Sequence, residues 1–411
     1  MEKISMNLVK NLFKLLVEDE IITDINPGII LNDEPSYFYF TTTLNKNNKY
    51  LSNVKFNIIV GGLSFSCSKL ALLKCLVEAI ERFSLFYFVD KQHISSFSNL
   101  KQNSLNPSLY TQDKNIINKN FQWTEGVDLI KEKEILIPTQ LIYLNQYDFN
   151  QERLLSPIIS TGAAASFSDK EAQLSGIYEV VERDAFMTIF LNKISAPQIQ
   201  LSSIQNLLIQ DITEKCFRYN LKPYLFNITN DLQIPSFLTI LVDKTGFGPA
   251  LTIGVKSNLE IEKAILGSME EAFMPRQWLR YELTFNKKSD KTDYIIKKGL
   301  LWSKISMLKK LDFLLNQKKI IQVGEISKFQ FKNELAEVKK IVQSKGYGVF
   351  GKKINSLLSR KSGLKIWKII IPELQPLYII EPYINKIRLK QVANFFGRHQ
   401  TSFKNYSHPF L

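Results

Sequence analysis

The chain has 411 residues, 45% of them hydrophobic, with 53 Lys and Arg against 39 Asp and Glu for a formal charge of +14. This balance suits a water-soluble globular protein, and no run approaches the ~18 uninterrupted apolar residues of a membrane-spanning helix. Three cysteines without a CxxC spacing (Cys67, Cys75, Cys216) exclude a disulfide framework, and only three histidines argue against a His-rich metal site.

In chain order, MEKISMNLVK carries Glu2 and no small-residue cleavage site after an apolar run. It does not read as a signal peptide, and with the unpaired cysteines it implies a cytoplasmic location. Residues 1–50 read as an α/β entry segment: an amphipathic helix with Leu8, Leu12, Leu15 and Leu16 on one side, then a strand near SYFYFTTTL. Further strand-like runs are FNIIVGG (56–62), EILIPTQLIYL (134–144), SFLTILVD (236–243), GPALTIGV (248–255) and LKIWKIIIPEL (364–374). They alternate with helical stretches, so the class is mixed α and β, and no Pro- or Gly-rich linker marks a clean boundary. Residues 91–120, rich in Ser, Asn, Gln and Lys, read as an irregular surface excursion.

The surplus charge is local. Residues 281–370 hold 21 Lys and Arg against 7 Asp and Glu, and the remainder is neutral. Amphipathic segments such as NELAEVKKIVQSKG (333–346) carry these lysines without a nucleic-acid motif. A solvated face or a docking surface for an acidic partner fits better, and neither nucleic acid nor membrane is expected as a partner.

The informative feature is an internal echo. Three helices carry an Ala followed seven residues later by Glu: Ala71 and Glu78 in ALLKCLVEAIERF, Ala172 and Glu179 in AQLSGIYEVVERDAF, Ala264 and Glu271 in AILGSMEEAFMPR. The first two repeat Glu-x-x-Glu-Arg, as Glu78, Glu81, Arg82 and as Glu179, Glu182, Arg183. Carboxylates at i and i+3 share one helix face. Apolar flanks make them costly unless they are paired or bind a metal. Two such helices supply more carboxylates than the adjacent arginines need, and a hard cation such as Mg²⁺, shared with nucleotide phosphates, resolves the excess. Exposed surface ion pairs are the competing reading.

Glu171 has two readings. Ser168-Asp169-Lys170-Glu171 has capping-box form, in which Glu171 reaches back to a backbone N–H. It also lies eleven positions from Glu182, on one stripe of the helix, where a nucleotide could touch both. Neither GxGxxG nor a Walker phosphate loop occurs, which disfavours a Rossmann or P-loop enzyme.

The three helices in this order, together with WTEGVDL (123–129), TGAAASFSDKEAQLSGIYEVVERDAF, ITNDLQIPSFLTILVD and IIIPELQPLYII (369–380), resemble the YcaO family, over nearly the whole chain. The resemblance implies an α+β fold whose sheets and helices surround a nucleotide cleft. It also implies an entry segment (1–50), a YcaO domain (51–400) and a tail (401–411). By the same resemblance Glu78, Glu81, Glu179, Glu182 and Glu271 are expected at Mg²⁺. Glu171, Ser66, Arg82, Arg183 and Arg276 are expected at ATP. The end, Ser407-His408-Pro409-Phe410-Leu411, matches the His-Pro-Phe of a proline-rich tail whose last residues lie near the active site, which nominates Pro409 and Leu411 as catalytic.

Gly267 departs from a frequent Arg of the family, and Met274-Pro275 from a commoner Gln-x. The first Gly-rich loop lacks a common Lys. The implied activity is ATP-dependent cyclodehydration of Cys, Ser or Thr to thiazoline or oxazoline in a precursor peptide, with a leader-binding partner protein and a homodimer. Thioamide or amidine formation and a non-catalytic scaffold are the alternatives. In this setting the basic block becomes a possible docking surface for leader or partner, and charge reversal at Lys339 and Lys340 is expected to weaken partner binding while sparing ATP.

Overall fold

The computed structural model describes residues 5–410 except 53, 55, 88–92, 101–102, 146–151, 286–293, 380–382 and 399–406. The chain opens with helix α1 (Met6–Glu18), whose leucine spacing buries Val9, Leu12 and Leu16. They share a core with Ile80 and Phe83 of α2 (Ser68–Phe86). Between these helices β1 (Asn26–Pro27), β2 (Phe38–Thr43) and β3 (Ile59–Ser64) form an antiparallel sheet. A Cβ on Gly62 of β3 would stand 2.2 Å from the Ala71 carbonyl oxygen, so the strand approaches α2 this closely only with glycine there.

A second described sheet has β4 (His93–Ser96) beside β5 (Asn120–Asp128), followed by β13 (Phe350–Ile354), β14 (Lys365–Ile370) and β7 (Ala163–Ser166). In it β6 (Lys133–Pro138) also pairs with β5. The predicted run 134–144 ends as a strand at Pro138 and continues as a 3₁₀ turn. The segment 91–120 differs from the loose excursion expected. It carries β4 and α3 (Phe97–Leu100), and Leu105 and Ile116 are buried. A few apolar anchors suffice to pin a segment whose composition is polar.

The third sheet runs β11 (Leu251–Ser257), β10 (Ser236–Asp243), β9 (Leu221–Asn227), β8 (Gln198–Ile199), β12 (Ile320–Ile321). Every residue of β10 is buried, and its side chains alternate between two cores. Leu238, Ile240 and Val242 meet Phe186 and Phe190 of α4 (Asp169–Asn192). Phe237 and Leu241 meet Ala264, Ile265 and Phe273 of α6 (Ile261–Phe285). Helix α5 (Leu207–Arg218) completes that second layer through Ile209 and Ile212.

Helix α4 is buried on most sides from Gly176 onward because it bridges two sheets. Its first half packs Ile177, Tyr178 and Val181 against Trp367 and Ile369 of β14, and its second half packs on β10. Between the halves, Asp184 takes a two-pronged pair from Arg388 (Nε–Oδ1 2.9 Å, Nη2–Oδ2 2.7 Å), a bond from Asn230 (2.8 Å) and one from the Gln375 N–H (2.8 Å). Asp184 and Arg388 are both fully buried.

Candidate active site

Three strand-to-helix units build the site: β3 into α2, β7 into α4 and β11 into α6. In the first, the Gly61 N–H donates to Glu78 Oε2 (3.3 Å) and Arg82 Nη2 to Glu78 Oε1 (3.3 Å). In the second, the Gly162 N–H donates to Glu179 Oε2 (3.0 Å) and Arg183 Nη2 to Glu179 Oε1 (3.4 Å). Both glycines lie 17 residues before their glutamate and both arginines 4 after it, so the echo in sequence is repeated in hydrogen bonding. The same step from Gly254 reaches Glu271, but Met274 and Pro275 stand where the second Glu and the Arg would fall.

Arg276, one position further, does not join the other candidates. It is 2% exposed and binds Glu34 through Nε and Nη2 (2.7 Å each), with Asp243 at 2.8 Å. One residue turns a helical side chain by ~100°, which carries this guanidinium into the core.

Five of the other candidates, Glu81, Glu179, Glu182, Arg183 and Glu271, line a cavity of about 220 Å³. Glu81 reaches it from α2, Glu179, Glu182 and Arg183 from α4, Glu271 from α6 and Lys256 from β11. The small side chains of Ala163, Ala164 and Ala165 on β7 leave its floor open. Glu182 is fully buried; its Oε2 accepts from the Ser257 N–H (3.4 Å) and lies 3.4 Å from Lys256 Nζ, while Arg183 Nη2 stands 3.5 Å from Oε1. Lys256 Nζ also donates to Glu271 Oε1 (3.0 Å).

Burial pushes both Glu182 and Glu81 up to about 8, with nearby cations opposing it, and raises Glu78 as well. Against the burial that disfavours their own charge, the glutamates hold Lys256 and Arg183 firmly protonated. Lys368 of β14 is lowered to about 8 by burial; its Nζ donates to the carbonyls of Ile159 (2.7 Å) and Thr161.

These residues fit a divalent cation with a phosphate-bearing ligand. The carboxylates are hard oxygen donors. Among the described residues Glu182 Oε1 and Arg183 Nε and Nη1 are buried without a hydrogen-bond partner, which leaves one acceptor and two donors for an incoming group. Among the described residues no three acidic side chains converge on one point as they stand. Lys256 is inserted between Glu182 and Glu271, and Arg183 between Glu179 and Glu182.

Glu171 is exposed on the first turn of α4 and accepts from Ser166 Oγ (2.5 Å). The expected capping box does not form, since the Ser168 side chain makes no cap bond. Asp169 turns instead to Trp367 Nε1 (2.7 Å) and Lys353 Nζ (2.9 Å). Ser66 stands on the turn after β3, its N–H donating to Ser64 Oγ (3.0 Å), and does not line the cavity.

The tail returns to this site. The Phe410 ring stacks 3.9 Å from the Arg183 guanidinium carbon, and Pro409 is buried; Leu411 lies outside the described residues. His408 is fully buried, its Nε2–H donating to the Tyr378 carbonyl (2.5 Å). Lys298 Nζ lies 3.4 Å from His408 Nδ1.

Burial lowers His408 to about 3 and Lys298, on helix α7 (Tyr294–Trp302), to about 7. A folded value below the unfolded one means stability is full above the unfolded value and lost as pH falls toward the folded one. Tail docking is therefore expected to weaken as pH falls from 6.5 toward 3. Trp302, whose Nε1 donates to Ser407 Oγ (3.2 Å), reports it by fluorescence. His408→Gln should flatten the acid limb; an unchanged limb would exclude His408 as its source.

Sequence reasoning missed Lys256, Lys368 and Lys298. The only available signal was a lysine inside an apolar strand or helix, as in LKIWKIII around Lys368.

Several known proteins share this architecture. A heterocyclase solved in complex with substrate and cofactor has TM-score 0.75 at 20% identity, covering 96% of this chain and 56% of its own. The YcaO of Methanopyrus kandleri, bound with AMPPCP and Mg²⁺, has TM-score 0.65 at 13% identity and covers 91% of this chain and 92% of its own. The E. coli microcin synthetase McbBCD complex has TM-score 0.62 at 14% identity, over 85% of this chain and 88% of that one.

In sequence, an uncharacterised protein of Methanothermobacter thermautotrophicus is 23% identical over 211 residues, 50% of this chain and 54% of its own length. An uncharacterised protein in the tfuA 3′ region of Rhizobium leguminosarum bv. trifolii is 27% identical over 128 residues, 29% of each chain. The chain thus spans about half or less of the curated relatives it matches. The family model for YcaO cyclodehydratase, ATP- and Mg²⁺-binding, matches residues 67–375, and with the fold above it shows that the chain belongs to the YcaO family, with ATP and Mg²⁺ as its cofactors.

Proposed function

We propose that the chain uses Mg-ATP to activate backbone amides of a ribosomally made precursor peptide, converting Cys, Ser or Thr to thiazoline or oxazoline. The observation that carries this reading is the cavity of about 220 Å³ in which Glu81, Glu179, Glu182 and Glu271 face Arg183 and Lys256. Bound Mg-ATP supplies divalent charge and a phosphoryl group that turns an amide oxygen into a leaving group.

The chain's own residues hold and orient. Glu81, Glu179, Glu182 and Glu271 offer oxygens to the metal, and Glu78, fixed by Gly61 and Arg82, extends that acidic rim. Arg183 offers Nε and Nη1 to phosphate, and the Phe410 ring lies against its guanidinium. Glu171 and Ser66 are available to the rest of the nucleotide. In this reading Pro409 borders the bound peptide, and Leu411 keeps the role that the family resemblance implies. The nucleophile is the peptide's own side chain, so no catalytic Ser or Cys of this chain is needed.

The partners in this reading are the precursor peptide, a separate protein that holds its leader, and a second copy in a homodimer. The microcin synthetase structure with pro-MccB17 bound supports the peptide class by likeness of fold. Lys339, 3.7 Å from Glu132, and Lys340 lie on the helix Glu334–Ser344 inside the basic block and mark a docking face for the leader or its carrier.

The test incubates the full chain with precursor, partner and Mg-ATP and follows peptide mass. Loss of one water per modified residue is the expected result. A thioamide or amidine mass would keep the ATP site and replace the product, and failure to bind Mg-ATP at all would leave a non-catalytic scaffold.

A further inference from the structure

Gly267 sits inside helix α6, where glycine is a poorer helix former than alanine. The structure supplies its reason. A Cβ there would stand 2.7 Å from Cγ and 3.1 Å from Cδ of Lys256, so the lysine stem fills the space above the helix. That stem carries its ammonium from β11 to a point between two glutamates, 3.0 Å from Glu271 Oε1 and 3.4 Å from Glu182 Oε2. Glu271 lies one helical turn beyond Gly267, so any long cation at 267 would project toward the same region. The two positions compete for one volume, and only one can hold a cation there.

We propose that Lys256 is a further nucleotide-binding residue, delivered across Gly267, which exchanges Glu182 and Glu271 for the phosphates when Mg²⁺ and nucleotide enter. Without ligand the ammonium bridges Glu271 and the fully buried Glu182. A divalent cation takes carboxylate oxygens more strongly than an ammonium does, and it frees Lys256 beside the place where polyphosphate must lie. A lysine is suited to this, being a compact point charge on a flexible stem. This rests on the reading of the cavity as the Mg-ATP site.

The test is calorimetric binding of AMPPCP in Mg²⁺ to wild type, Lys256→Met, Gly267→Arg and the double variant Lys256→Gly with Gly267→Arg. Lys256→Met is expected to bind at least ~10-fold more weakly, as for loss of a charge-assisted contact. Mg²⁺ alone should bind it no more weakly than wild type, because the competing ammonium is gone. Gly267→Arg alone should fail to bind normally and should melt earlier, since the lysine stem occupies its space. The double variant should recover to within ~3-fold of wild type, the cation having moved from strand to helix.

Wild-type affinity in Lys256→Met, or no recovery in a folded double variant, overturns the proposal. If Lys256→Met does not fold, Lys256→Gln is read in its place by the same criterion. Should the wild type itself not bind Mg-AMPPCP, the reading of the cavity fails first, which the four-way comparison reports separately.

Discussion

Glu182→Gln is expected to weaken Mg²⁺-dependent ATP binding by ~100-fold or more, a loss at least as large as that for displaced supporting groups of metal sites. The thermal midpoint without nucleotide should match or exceed that of the wild type near neutral pH. Both expectations come from one fact: Glu182 is fully buried, and burial lifts it to about 8. Near neutral pH and without ligand the acid is largely protonated, and an amide of the same shape replaces it at little cost. A metal demands the ionised form, which glutamine cannot provide.

The sign for stability follows from the raised value. The wild type holds its proton more tightly when folded, so this contribution is full below the unfolded value of 4.5 and fades as pH rises through about 8. The variant has no such proton to lose and should therefore gain on the wild type as pH rises from 4.5 through about 8. Binding isotherms and melting curves across that range check both statements; unaltered nucleotide affinity in a folded variant would remove Glu182 from the site.

Arg388→Met is expected to be the most damaging change to stability, costing about 3–5 kcal/mol. The guanidinium is wholly buried against Asp184, which also ties down Asn230 and the Gln375 backbone. Removing it strands a carboxylate between the two halves of α4, next to Glu182 and Arg183 in the chain. The urea midpoint should fall sharply with the slope unchanged. Asp184→Asn should cost less, because Arg388 keeps its pair with Asp231 (2.7 Å) and the one remaining amide oxygen still accepts from either Asn230 or Gln375. Equal stability of wild type and Arg388→Met would mean the pair contributes nothing net.

The basic block illustrates how far composition reaches. The charge count locates the surplus in residues 281–370, yet its members meet different fates. Lys298 is buried beside His408, Lys368 is buried beneath the acidic cavity, Lys353 binds Asp169, and Lys340 remains 78% exposed. What a charge does depends on its neighbours, and a count carries none.

The sequence by itself determined the strands and helices that carry the site and the glutamates on them. SFLTILVD is a strand over 236–243, and the Glu-x-x-Glu-Arg helices are α2 and α4. Those features were legible because they are local: periodicity of two or 3.6 and fixed steps along one strand–turn–helix unit are written in consecutive residues. Only the tertiary structure decided which cations enter the cavity. Arg276, one residue past the register of its counterparts, turns to Glu34, 242 positions away. Lys256 crosses Gly267 to reach Glu182, and Phe410 closes on Arg183 from the far end of the chain. Such pairings follow from how the sheets and helices pack, and no spacing in the chain encodes them.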